Sequence, residues 1–155
     1  MNSDTEDRLI DACKDWISAW TPDSGSSLLT APVYRPNNST KKALPCFTLD
    51  IEASEENLPG TGNMDITIKV SFESPMGGKD AQDELSHKAV FKQLSSAFVD
   101  SLGFRTYANH ASRPFAPFYI YKTYFTQGGP ESTSQKKILV SSCSIRVICV
   151  IPATG

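Results

Sequence analysis

The stretch Met64-Asp65-Ile66-Thr67-Ile68-Lys69-Val70-Ser71-Phe72-Glu73 decides the fold. Met64, Ile66, Ile68, Val70 and Phe72 fall on one parity, and Asp65, Thr67, Lys69, Ser71 and Glu73 on the other. Side chains alternate between the faces of a strand, so this spacing predicts a strand with one apolar and one wetted face. A slip of one residue would exchange the two sets, so the register is strongly specified. Just upstream, Phe47, Leu49, Ile51 and Ala53 alternate with Thr48, Asp50 and Glu52 over Cys46 to Ala53, a second strand. Pro59, Gly60, Gly62 and Asn63 between the two are turn formers, which predicts an antiparallel hairpin.

The flanking segments read as cover for the apolar face. Ser3-Asp4-Thr5-Glu6 has the form of a capping box. Leu9, Ile10, Cys13, Trp16, Ile17 and Trp20 then recur at helical spacing up to Thr21-Pro22. Two tryptophans on one stripe suit the core or a subunit interface better than a ligand box. Residues 21–45 hold Pro22, Pro32, Pro36 and Pro45 among many polar residues, an irregular connection in which Val33-Tyr34 reads as a short edge strand. After Pro75-Met76-Gly77-Gly78, Asp80 is the expected cap of a second helix. Leu85, Ala89, Val90, Leu94, Ala97, Phe98 and Leu102 trace its apolar stripe and Gly103 its end. His87 in this helix has no second ligand at helical spacing and reads as a surface or buried structural residue; His110 falls in a loop.

Residues 104–117 read as a loop rich in aromatic and basic residues: Phe104, Arg105, Tyr107, His110, Arg113 and Phe115. Such a mixture can stack bases or bind a protein surface, and without a run of positive charge the protein partner is the better reading. Phe118 to Thr126 is apolar on both parities, which predicts a strand covered on both sides. Lys136 to Ile151 reads as a long fourth strand carrying Leu139, Cys143, Ile145, Val147, Cys149 and Ile151 on one parity. The order α-β-β-α-β-β predicts an α+β fold, with an antiparallel sheet of about four strands and two helices packed on one face.

Composition narrows the function. The chain has 155 residues, enough for one domain with a real core. Its net charge of −2 argues against a dedicated nucleic-acid binder. Residues 1–87 carry seven Lys/Arg and fifteen Asp/Glu, a balance of −8, and residues 88–155 carry eight and two, a balance of +6. A molecule with an acidic and a basic side suits head-to-tail self-association. No apolar run is long enough to cross a membrane, and the polar, acidic opening is unlike a signal peptide, so synthesis in the cytoplasm is expected. Cys13, Cys46, Cys143 and Cys149 have no metal or disulfide spacing and read as reduced core thiols.

Catalytic signatures are missing from the sequence. Gly60-Thr61-Gly62 lacks the helix and lysine of a phosphate loop, and there is no nucleophile elbow or HExxH. Asp50, Glu52, Asp65 and Glu73 share the wetted face of the hairpin. They read as a solvated sheet face, with acid–base or metal chemistry as the rival. Neither a catalytic residue, nor a metal, nor a cofactor is expected.

Leu44-Pro45-Cys46, Glu52, Glu55-Glu56, Pro59-Gly60-Thr61-Gly62-Asn63, the strand after them and the acidic helix start with His87 resemble a type of small tailed-phage or prophage protein. The order of elements resembles that of the tail terminator family, from which the connection at 21–45 departs by its length. The resemblance implies a structural virion protein, assembled in the host cytoplasm as a hexameric ring that caps the tail tube and meets the head connector. DNA would pass through its lumen without specific binding, and no membrane and no catalysis are implied. Another neck protein, a stopper or head-completion protein, and a small soluble enzyme on the acidic sheet face are the alternatives. Arg105, Tyr107, Arg113, Phe115, Tyr119 and Tyr121 are of the types enriched at interface centres and are the candidate contact residues.

Overall fold

A computed structural model describes residues 2–23, 25–35, 43–56, 63–79, 81–99, 103–109, 119–133 and 138–150. The elements run α1 (Asn2–Ala19), β1 (Val33–Tyr34), β2 (Cys46–Glu56), β3 (Asn63–Pro75), α2 (Glu84–Phe98), α3 (Gly103–Ala108), β4 (Tyr119–Thr133) and β5 (Ile138–Val150). The five strands form one sheet in the order β1-β2-β3-β5-β4. β3 lies at its centre, antiparallel to both β2 and β5, and β5 is antiparallel to β4. The short β1 runs parallel to β2, with Val33 beside Phe47 and Tyr34 beside Thr48.

The α+β class and the central hairpin hold as expected, while the count and the pairing do not. The sheet has five strands and is mixed, and the helices are three. The fifth strand is the Val33–Tyr34 pair, at the sheet edge as its residues suggested. The additional helix, α3, occupies the start of the segment read as loop from Phe104; residues 110–118 lie outside the described residues.

The alternation of β3 sets the layers. Met64, Ile66, Ile68, Val70 and Phe72 are all buried against the helices. Their partners across the ladder, Cys149, Val147, Ile145 and Cys143 on β5 and Leu49 and Phe47 on β2, share that face and that core. Leu9, Ile10, Ala12, Cys13 and Ile17 of α1 close it on the helix side with Phe91, Leu94 and Phe98 of α2 and Phe104 of α3. The opposite face of the sheet bears no helix among the described residues.

Four local readings are corrected. α1 is helical from Asn2, so Ser3 lies inside the helix and not at its cap. α2 is capped by Asp83, whose carboxylate accepts a 2.8 Å hydrogen bond from the Ser86 amide. That bond holds the Asp83 carboxyl below its ordinary range. α2 also ends at Phe98, so Gly103 opens the next helix and does not terminate this one. Its buried stripe is His87, Val90, Phe91, Leu94, Ala97 and Phe98. Leu85 is 72% exposed, and Ala89 faces solvent with it. The stripe turned because His87, a polar residue by type, belongs to the core side.

Candidate functional site

Four of the six expected contact residues are described; Arg113 and Phe115 lie outside the described residues. α3 is too short to be held by its own backbone bonds. It is fixed by rings: Phe104 packs on Phe98 with centroids 4.7 Å apart, and on Trp16 at 6.4 Å. Tyr107 stacks against Trp16 at 5.1 Å, and the Trp16 indole N–H donates to the Ala97 carbonyl at 2.9 Å. Tyr107 is therefore half-buried in the joint between α1 and α3.

α3 in turn holds the outer edge of β4. The Arg105 guanidinium donates to the Tyr121 carbonyl. The Asn109 amide donates to the Ile120 carbonyl and accepts from the Ile120 N–H, both at 2.8 Å. The Thr123 hydroxyl donates to the Phe98 carbonyl at 2.6 Å. An edge strand left open is a template for pairing with another chain, and here one end of it is occupied by side chains.

The irregularity of β4 between Ile120 and Lys122 sets what this edge displays. Ile120 and Phe125 point to the core, whereas Tyr119, Lys122 and Tyr124 share the helix-free face. Tyr119 is 56% exposed, Tyr121 40% and Tyr124 39%. The expectation of a strand covered on both sides is thus corrected: one side is bare, and its apolar character is tyrosine, whose hydroxyl tolerates water.

Beside this strand, Arg146 of β5 forks onto Asp65 of β3, with Nε 2.9 and 3.0 Å from the two carboxylate oxygens. The hydrogen bonds and charge of Asp65 raise the Arg146 guanidinium above its ordinary value. Arg146 lies 5.3 Å above the Tyr124 ring and the Lys122 ammonium 5.2 Å from the same ring, both within cation–π range. Asp65 is 8% exposed, so it is not part of a solvated acidic face as the sequence suggested. Its partner stands 81 positions away, beyond the reach of local pattern. Glu73, also on β3, is half-buried and accepts a 3.2 Å hydrogen bond from the Thr48 hydroxyl, whereas Asp50, Glu52 and Glu55 on β2 are exposed. Asp50 stands opposite Lys69, and Glu52 accepts a 3.3 Å hydrogen bond from the Ser144 hydroxyl. One half of the bare face is therefore acidic and the other cationic and aromatic.

Two other places hold polar groups in a sheltered setting. His87 bridges two hydroxyls inside the core, with Nε2 2.7 Å from Ser74 Oγ and Nδ1 2.7 Å from Ser141 Oγ. All three are at most 3% exposed, and burial pushes the imidazole below its ordinary pKa. A serine–histidine pair needs an access route for its substrate, and this one has the geometry of a closed polar bridge. A cleft of about 280 Å³ lies between α1 and the β1–β2 edge, lined by Glu6, Asp7, Ile10, Arg35, Leu49, Asp50 and Ile51. Its arginine is taken up by Asp7 at 2.8 Å and Asp11 at 3.8 Å. Among the described residues no group of three or more His, Cys, Asp or Glu side chains gathers as a metal ion would require.

No protein-family model matches the sequence, and neither does any curated protein. The fold is similar to that of a chain from the virion of a native gene transfer agent particle, with a TM-score of 0.51 at 10% identity. The likeness spans 95% of this chain and 92% of that one.

Proposed function

We propose that this chain is a structural protein of a phage-type virion. In its finer form it is a tail terminator or tail-completion protein that closes the tail tube with a ring of its own copies and joins it to the head connector. The single observation that carries the coarser reading is the likeness, end to end in both chains, to a chain of a gene transfer agent virion. The order of elements and the Leu44-Pro45-Cys46 to Asn63 segment add the finer one. Its partners are then further copies in a ring of six, the tube protein and the connector, with DNA passing through the lumen without specific contacts.

We also propose that it catalyses nothing. The enzyme reading rested on the carboxylates of the hairpin, and Asp65, the most shielded of these, is held by Arg146. Of the others, Glu73 accepts a hydrogen bond from the Thr48 hydroxyl, and Asp50 and Glu52 on β2 stand exposed.

Light scattering on the purified chain at rising protein concentration, with negative-stain imaging of the same samples, tests the proposal. The expected result is a species several times 16.9 kDa that appears as a ring with a central opening and caps isolated tail tubes. A chain that stays monomeric at every concentration, with tubes present or absent, overturns it. Rings that bind head connectors and ignore tubes would move the assignment to a stopper.

A further inference from the structure

The strand order places unlike chemistry at opposite ends of the bare sheet face. At one end, among the described residues, β2 has only the two residues of β1 beyond it, and it carries Asp50, Glu52 and Glu55 in solvent. The acidic flank of α1 lies alongside, where Arg35, next to β1, is engaged by Asp7 and Asp11. At the other end, β4 carries Tyr119, Tyr121, Lys122 and Tyr124, with Arg146 over the last ring. Tyrosine and arginine are the types that dominate interface centres.

We infer that the β4 end of one copy docks on the β2 end of the next, through Lys122 and the tyrosines on one side and Asp50, Glu52 and Glu55 on the other. The inference rests on the ring reading above and gives it an interface. The occupant is a second copy because the two ends complement each other in charge. Pairing β2 with β2 would set acid against acid, and pairing β4 with β4 would set cation against cation. A contact between unlike ends is heterologous, and such contacts close into a ring when the rotation allows.

The manner of contact also follows. At Ile120 and Tyr121 the backbone edge of β4 is taken by Asn109 and Arg105, so a neighbour cannot extend the ladder there. The copies meet by side chains, and the strength of the contact falls as salt rises.

Three variants of the full chain test this by sedimentation velocity at low and high salt: Lys122→Glu, Glu52→Lys, and the two together. Both positions are exposed, and melting curves establish that each variant is folded. Each single reversal is expected to raise the concentration needed for assembly by about tenfold or more. The paired reversal is expected to restore assembly toward the parent, because the new charges again attract across the contact. If the parent assembles and the single variants assemble equally well, this interface is wrong and the ring reading stands. Single reversals that disrupt assembly without rescue by the pair also overturn the proposed match of ends. A parent that never assembles overturns both.

Discussion

Asn109 holds Ile120 by both of its backbone groups, giving a hydrogen bond to the carbonyl and taking one from the N–H, each 2.8 Å long. A side-chain amide here does the work of a neighbouring strand. Asn109→Ala would leave both groups of a half-shielded edge without their protein partner, at an expected cost of about 1–3 kcal/mol in unfolding free energy. The Ile120 amide should also exchange its hydrogen faster than in the parent. Unchanged stability and unchanged exchange would show that water replaces the clamp without loss.

Ile68 is fully buried at the centre of the sheet, and Leu85 is 72% exposed on α2. Ile68→Ala is expected to cost about 2–5 kcal/mol, the range for emptying a packed core site. Leu85→Ala should stay within about 0.5 kcal/mol of the parent, as surface changes do. Denaturant titrations of the two variants check the phase of the helix as well as the core. Equal losses would mean that Leu85 is covered.

That pair also marks what could be read from residues alone. β3 was legible because polar and apolar positions alternate from Met64 to Glu73, and β5 because Cys143, Ile145, Val147 and Cys149 hold one parity and face it across the ladder. α2 was legible as a helix and misread in phase, since Leu85 and Ala89 are apolar by type and exposed in fact, while His87 is the reverse. α3 has six residues, fewer than two turns, and only Phe104 and Ala108 are buried, so no period could reveal it. Asp65 looked solvated because Arg146 is distant in sequence. The cationic and aromatic end was found in part: Tyr119 and Tyr121 were expected there, but Lys122, Tyr124 and Arg146 emerge only when the bulge at Ile120 and the neighbouring strand are in place.

His87 makes the fold sensitive to acid. It is packed under the Phe72 ring and bonded to Ser74 on β3 and Ser141 on β5, with Asp83 and Glu84 of its own helix partly countering the effect of burial. Its pKa is lowered by burial in the native state, while the unfolded chain takes a proton near the ordinary value of about 6.5. Its contribution is therefore complete above about pH 6.5 and is lost as pH falls through that value toward the depressed native pKa. Urea midpoints measured between about pH 7.5 and about pH 5 should fall in the parent and fall less steeply in His87→Asn. Parallel slopes would remove His87 as the cause.

The core thiols should be chemically silent. Burial pushes Cys143 and Cys149 up to about 12 and raises Cys13 as well, and Cys46 is buried with its thiol 3.6 Å from the Glu73 carboxylate. The thiolate is the reactive species, so a disulfide reagent near neutral pH should find no fast-reacting thiol in the native protein and all four in denaturant. A fast stoichiometric reaction before unfolding would place at least one thiol at the surface.

The irregularity in β2 between Ile51 and Ala53 divides that strand into two unequal lengths. Before it, Phe47 and Leu49 are anchored in the core; after it, Ala53 and Glu55 lie in solvent and Ser54 and Glu56 are only half-covered. The second length has no fully buried apolar residue and is aligned by the ladder with β3. It is the segment from which the sheet should fray. Amide exchange would then rise from Leu49 to Glu56, a gradient of local opening along one continuous strand, with its soft end beside the acids offered to a neighbour.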